Sequence, residues 1–101
     1  GANFRGAGKA FKWDTNKLKC GMTLLFSRDD ATTNTPQDNY YYAVFLSQAQ
    51  LLEIAGGGVL IQMPSLTYGD KKYFYVSTTG ISGHADDSNY RAWALRRVTI
   101  M

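Results

Sequence analysis

Apolar and polar residues alternate along several short stretches of the chain, and turn-forming residues separate these stretches. The clearest case is residues 19–27, in which Met22, Leu24 and Phe26 share one parity. Because successive side chains of a strand point to opposite faces, such alternation predicts a half-buried strand. Other strand-like runs, not all of them strictly alternating, occur at residues 9–13, 40–47, 59–63, 73–79 and 90–100. The chain is therefore predicted to be all-β, a single-domain sandwich or jelly roll of about seven to nine short strands.

The last of these runs changes phase within the strand. Trp93 and Leu95 have one parity, whereas Val98 and Ile100 have the other. Two explanations fit this pattern. Either a β-bulge at residues 96–97 brings all four side chains onto one face, or both faces of the strand are covered.

Residues 40–47 are apolar on both parities. This pattern predicts a buried central strand, or a strand with one face against another chain. Alternation would direct Tyr41 opposite to Tyr40 and Tyr42. At least one of the three rings should therefore reach a surface or an interface.

Two structures fit residues 48–55. Ser47 and Gln50 have the spacing of a capping box, and Gly56 would follow the helix end, so these residues can form two helical turns. A strand through residues 51–54 fits equally well, because short apolar runs do not separate by period. The sequence leaves one short helix as an open alternative.

The segment between the last two runs, residues 80–89, is rich in glycine and polar residues and is predicted to be a loop. It contains His84, which with Asp86 or Asp87 would make an acid/base pair, but no nucleophile motif accompanies them. The oxygen-bearing side chains at the end of the segment lack the spacing of a calcium loop. We therefore predict a turn here, with no catalytic residues, no metal and no cofactor.

Composition places the chain among globular proteins, with 45% hydrophobic, 19% charged and 14% aromatic residues in 101. We expect one β domain at residues 9–101, preceded by a Gly/Ala-rich linker or arm at residues 1–8. Because the chain starts at Gly1 rather than Met, we expect a longer natural polypeptide. The single Cys20 cannot form an internal disulfide and is predicted to be a packed thiol at a strand start.

Charge and hydropathy exclude two classes of partner. The net charge is only +3, without the dense basic stripe typical of nucleic-acid-binding domains. No apolar run reaches the ~18 residues that a membrane-spanning helix requires. We expect neither nucleic-acid binding nor membrane insertion.

Sugar recognition uses flat aromatic rings beside carboxylates, amides and Arg side chains, which stack on the sugar ring and hydrogen-bond its hydroxyls. Tyr90 and Arg91 supply the ring and the cation directly after Asp86, Asp87 and Asn89. Ordinary strand aromatics beside a polar loop would give the same composition. The function of this mixture is therefore left open by the residues alone.

The sequence GISGHADDSN at residues 80–89, followed by RAWALRRV at 91–98, resembles the tip of some bacteriophage tail fibre and tailspike proteins. The resemblance covers the last quarter of the chain. It implies a non-enzymatic, homotrimeric β-structure that binds a host cell-surface polysaccharide, lipopolysaccharide or protein. Such a protein would be assembled in the bacterial cytoplasm and would act in the tail of the virion.

If the chain is such a tip, its loops should contact the receptor. The predicted ligand-binding residues are His84, Asp86, Asp87, Asn89, Tyr90 and Arg91. The alternative function is a structural or adhesin-like β-module of a bacterial surface or virion assembly.

Overall fold

The computed structural model describes residues 10–30, 35, 36, 38–64, 71–83 and 93–101. In this part of the chain there are eight strands, one α-helix and one turn of 3-10 helix, Thr15–Lys17. The elements in chain order are β1 Ala10–Lys12, β2 Gly21–Asp30, β3 Thr35–Pro36, β4 Tyr42–Ser47, α1 Gln48–Ile54, β5 Gly58–Gln62, β6 Lys71–Val76, β7 Gly80–Gly83 and β8 Trp93–Ile100. The prediction of an all-β fold with one short helix is confirmed.

The strands form two antiparallel sheets. In the first sheet β2 is central, because it pairs with β4 along one side and with β8 along the other, while β3 pairs with its end. The second sheet has the order β1-β7-β6-β5. The two sheets pack face to face, and the rings of Phe26 and Phe74 meet across them with centroids 6.0 Å apart.

The core between the sheets is built from side chains on the inner face of each sheet. Met22, Leu24 and Phe26 of β2 are fully buried, as their alternation predicted. They pack with Leu18, Leu46, Leu51, Ile61, Met63, Phe74, Val76, Ile81, Trp93 and Leu95. Burial of this apolar surface is the main force that holds the sheets together.

A β-bulge explains the phase change in β8. Phe26 pairs with Leu95, whereas the preceding residue of β2, Leu25, pairs with Arg97, so Arg96 is the additional residue. Beyond the bulge, Val98 pairs with Leu24 and packs against the core like Leu95. Of the two explanations that the sequence allowed, the bulge is confirmed.

Residues 48–54 form a helix because its first turn is capped. The Gln50 amide donates to Ser47 Oγ at 3.2 Å, and the Ser47 amide donates to Gln50 Oε1 at 2.8 Å. Leu51 is fully buried against the core, which adds tertiary support to the short helix. The helix ends at Ala55, whose φ is 51°, and Gly56 follows with a φ of 90°. These contacts decide between the two alternatives in favour of the helix.

The predictions for residues 80–83 and for Cys20 are wrong. Residues 80–89 were predicted to be a loop, but Gly80–Gly83 form β7 between β1 and β6, with Ile81 buried. Residues 84–89 lie outside the described residues. A single apolar residue between glycines gives no local strand pattern, and the pairing on both sides supplies the stabilisation. Cys20 is exposed rather than packed. The amides of Lys19, Cys20 and Gly21 converge on the Met101 carbonyl oxygen at 2.6–3.1 Å, and the side chains at 19 and 20 point outward.

Of the two alternatives for residues 40–47, the buried central strand is wrong, whereas a strand with one face against another chain stays a prediction. In the described part of the chain β4 pairs with β2 alone, so it is not a central strand. It begins at Tyr42, since Tyr40 has a φ of 53° and cannot belong to an extended strand. Tyr40 and Tyr41 are consequently both exposed, whereas Tyr42 packs against the core.

Candidate binding surface

All six residues predicted to bind a ligand lie outside the described residues: His84, Asp86, Asp87, Asn89, Tyr90 and Arg91. The described strands on either side of them belong to different sheets. Gly83, at the end of β7, pairs with Phe74 of the second sheet, whereas Trp93, at the start of β8, pairs with Arg28 of the first. The segment that carries the predicted residues therefore connects the two sheets.

The start of β8 is fixed on the core side by Trp93. Its ring is buried, and the Arg28 guanidinium carbon lies 5.6 Å from the ring centroid. A cation at this distance from an indole is attracted by the negative face of the ring. The strand directly after the predicted ligand-binding residues is thus anchored in the core.

On the opposite face of the first sheet, the bulge residue Arg96 joins the sheet to the residues before β4. Its Nη1 donates to Ser27 Oγ at 3.0 Å, and its Nη2 donates to Asp38 Oδ1 at 2.9 Å. Its guanidinium carbon also lies 6.0 Å from the centroid of the Tyr41 ring. We call these four residues the Arg96 cluster: Arg96, Ser27, Asp38 and Tyr41.

The Arg96 cluster holds residues 38–41 against the sheet. Asp38 is largely exposed, so its ion pair with Arg96 contributes only about 0–1 kcal/mol to stability. The contact with Ser27 is different, because Ser27 is fully buried and the guanidinium supplies a donor to its hydroxyl. The main effect of Arg96 is therefore to connect the exposed Asp38 and Tyr41 to the buried Ser27 of β2.

Two tyrosine rings are exposed by this arrangement. Tyr40 is 73% exposed and Tyr41 is 52% exposed. Tyr40 has a left-handed backbone, which costs about 1 kcal/mol or more for a residue with a side chain. The Tyr41 hydroxyl donates to Asp38 Oδ1 at 3.4 Å, at the long limit for such a bond. Two flat amphipathic rings beside a carboxylate can stack on a ligand and hydrogen-bond it.

A further aromatic side chain lies on the outer face of the same sheet. Phe45 of β4 is 50% exposed, and it pairs with Thr23, which in turn pairs with Thr99 of β8. A half-exposed phenylalanine at the end of a row that continues with two threonines can pack against a partner without burying a charge. The outer face of the first sheet therefore offers both the Tyr41 ring and an apolar ring.

No functional role of the Arg96 cluster is predicted by the sequence. The phase change at residues 96–97 is the one local signal for Arg96. No local pattern connects Arg96 with Asp38, because 58 residues separate them. The tyrosine run did indicate a surface role, and two of its three rings are exposed.

No protein-family model, curated protein or solved structure matches this chain. Among the described residues, no group of three or more His, Cys, Asp or Glu side chains is arranged to hold a metal ion. That part of the chain also contains no helix long and apolar enough to cross a membrane.

Proposed function

We propose that this chain is a non-enzymatic attachment domain that binds a host cell-surface glycan or protein, as the tip of a phage tail fibre. The observation that carries the proposal is the exposed pair Tyr40 and Tyr41, in which Arg96 contacts the Tyr41 ring and the nearby Asp38 carboxylate. Exposed tyrosines with fixed positions bind ligands at a low entropic cost, because few rotatable bonds are immobilised on binding.

The fold supports this proposal in a general way. A sandwich of two packed sheets is a rigid scaffold, and binding residues concentrate on the loops that such scaffolds hold. The segment between β7 and β8 carries the mixture of Tyr90, Arg91 and acidic residues that favours sugar recognition. In the proposed virion tail, this segment and the tyrosine pair would contact the receptor.

The alternative is a structural or adhesin-like β-module, and one set of observations favours it. Three large apolar side chains are at least half exposed: Phe45, Leu52 and Leu60. Exposed apolar side chains are often covered in an assembly. The same observation supports the proposal that the attachment domain is a homo-oligomer, with a trimer as the expected form.

The proposal is tested by binding of the fluorescently labelled protein to whole bacteria and to their purified surface polysaccharides. We expect saturable binding to some strains, and a loss of at least about tenfold in affinity for Tyr40→Ala or Tyr41→Ala. Glu53→Ala is the control, because Glu53 is exposed on the helix and belongs neither to the tyrosine pair nor to the exposed apolar side chains. If the control weakens binding as much as the tyrosine variants, or if no strain binds, the proposed function is wrong.

A further inference from the structure

The second sheet carries a groove that is separate from the tyrosine pair. Its volume is about 410 Å³, within the range of about 300–1,000 Å³ that is typical of small-ligand sites. It is lined by β1 and Trp13, by residues 79–82 at the start of β7, by the last two residues of β6 with the following Ser77, and by Gly56 after the helix.

The floor of the groove is formed by small residues. Ala10 pairs with Ser82, and Ser82 pairs with Tyr75, so these three residues form one row across three strands. In the next row on the same face of the sheet, two positions along each strand, Lys12 pairs with Gly80, which has no side chain. A Cβ atom at Gly80 would lie 2.8 Å from the Phe11 carbonyl oxygen, so the floor at this point cannot be filled without a shift of the backbone.

The aromatic residue Tyr75 and the cationic residue Lys12 belong to the lining beside this floor. Tyr75 is 41% exposed, and its ring packs edge-to-face on Tyr73 with centroids 6.0 Å apart. Tyr73 in turn lies over Gly58, where an added Cβ would overlap its ring. The Tyr75 ring packs on the Tyr73 ring, and the Tyr73 ring packs on the backbone at Gly58. These contacts restrain the orientation of the Tyr75 ring.

Hydrogen bonds fix another part of the groove lining, formed by Trp13, Ser77 and Thr79. The Trp13 indole Nε1 donates to the Thr78 carbonyl oxygen at 2.8 Å, and the Trp13 amide donates to the Thr79 carbonyl oxygen at 3.0 Å. The hydroxyls of Ser77 and Thr79 are 3.2 Å apart. Hydroxyl groups in fixed positions can exchange hydrogen bonds with the hydroxyls of a sugar.

The positive charge of the groove lining favours an anionic ligand. Lys12 is the one charged residue among the described residues that line it, and no carboxylate accompanies it there. A ligand carboxylate would therefore find a cation without a competing acidic side chain. The combination of one exposed tyrosine ring, one lysine and several hydroxyls fits a pyranose that carries an acidic group.

We propose that this groove binds an acidic saccharide residue, with the sugar ring on Tyr75, its carboxylate at Lys12 and its hydroxyls at Ser82 and Thr79. This site goes beyond the attachment surface formed by Tyr40 and Tyr41, and it involves a different sheet. It is a binding site only, with no bond made or broken.

The test compares two ligands that differ in one group. Methyl β-D-glucuronide and methyl β-D-glucoside share their ring hydroxyls, but only the glucuronide has a carboxylate. Each is titrated into the ¹⁵N-labelled protein while amide chemical shifts are recorded. We expect saturable shifts at Gly80 and Ser82 with the glucuronide, and affinity about fivefold weaker for the glucoside. Equal affinities, or the absence of saturable shifts at both amides with the glucuronide, would overturn the proposal.

Variants of the exposed Lys12 complete the test. Lys12→Glu should abolish glucuronide binding and Lys12→Ala should weaken it about fivefold, because the first reverses the charge and the second removes it. Lys12→Arg keeps the charge and should retain binding. Lys17→Ala is the matched control, since Lys17 is exposed and does not line the groove. If Lys17→Ala weakens binding as much as Lys12→Ala, the effect is one of net charge and the site is refuted.

The same titration separates this proposal from the proposed function. Tyr40→Ala should leave glucuronide binding unchanged even where it reduces attachment to cells. If Tyr40→Ala removes the shifts at Gly80 and Ser82, the groove is not an independent site and the inference fails.

Discussion

Arg96 Nη2 lies 2.9 Å from Asp38 Oδ1, although 58 residues separate the two in the chain. The contact depends on the β-bulge, because Arg96 is the residue of β8 that has no partner in the register with β2. The same guanidinium reaches the buried Ser27 hydroxyl. A break in strand register thus places a cation where it can tie the tyrosine-bearing segment to the sheet.

Replacement of Arg96 tests this relationship. Arg96→Ala should lower the free energy of unfolding by about 1–2 kcal/mol, since Ser27 loses a donor in a buried position and Asp38 loses its ion pair. Urea denaturation measures the change. Arg97→Ala is the control, because Arg97 is exposed on the same strand, and it should change stability by less than about 0.5 kcal/mol. Equal effects of the two substitutions would refute the role of Arg96.

Gly21 is required by close packing where β2 begins. Its φ is 157°, and a Cβ at this position would overlap the Leu46 carbonyl oxygen. Gly21→Ala should therefore destabilise the protein by at least about 2 kcal/mol. Gly56→Ala should cost only about 1 kcal/mol, because no atom lies within 4 Å of the added Cβ and only the φ of 90° opposes it. Thermal unfolding of the two variants gives the comparison, and a smaller loss for Gly21→Ala would contradict it.

The capping box predicts a third effect. Ser47→Ala removes the acceptor for the Gln50 amide and should cost about 1 kcal/mol. Gln48→Ala leaves the capping contacts in place and should be close to neutral. Both are measured by chemical denaturation, followed by circular dichroism. A neutral Ser47→Ala would mean that packing of Leu51 alone maintains the helix.

The predicted ligand-binding residues give a fourth prediction. If the segment after β7 contacts the receptor, Tyr90→Ala or Arg91→Ala should weaken binding to host cells while the thermal midpoint stays nearly unchanged. Binding isotherms and thermal scans on the same preparations provide the measurement. Normal binding by both variants, or a large fall of the midpoint, would assign these residues to the scaffold.

Self-association is the fifth prediction. A domain of this size buries only ~60–70% of its extended surface, so exposed apolar side chains favour assembly. Sedimentation equilibrium at micromolar concentration should give a mass above the 11.2 kDa of one chain, with the trimer expected. Phe45→Ser and Leu60→Ser should shift the equilibrium toward the single chain. A mass of one chain for the unsubstituted protein would contradict the prediction.

The sequence by itself determined the fold class and much of the core. The shared parity of Met22, Leu24 and Phe26 predicted a strand with one buried face, and all three are fully buried. The phase change before Val98 left two explanations for the last strand, a bulge or the coverage of both faces. The structure shows the bulge. Such features are readable because alternation and capping depend on residues a few positions apart.

Only the tertiary structure decided the strand β7, the helix and the Arg96 cluster. Gly80–Gly83 have no alternating pattern of their own, and they are a strand because neighbours pair with them on both sides. Residues 48–54 form a helix and not a strand in part because the helix places Leu51 in the core, which the capping residues alone do not indicate. Arg96 meets Asp38 because the bulge sets where the side chain emerges. Each outcome depends on pairing between distant segments, which local periodicity does not encode.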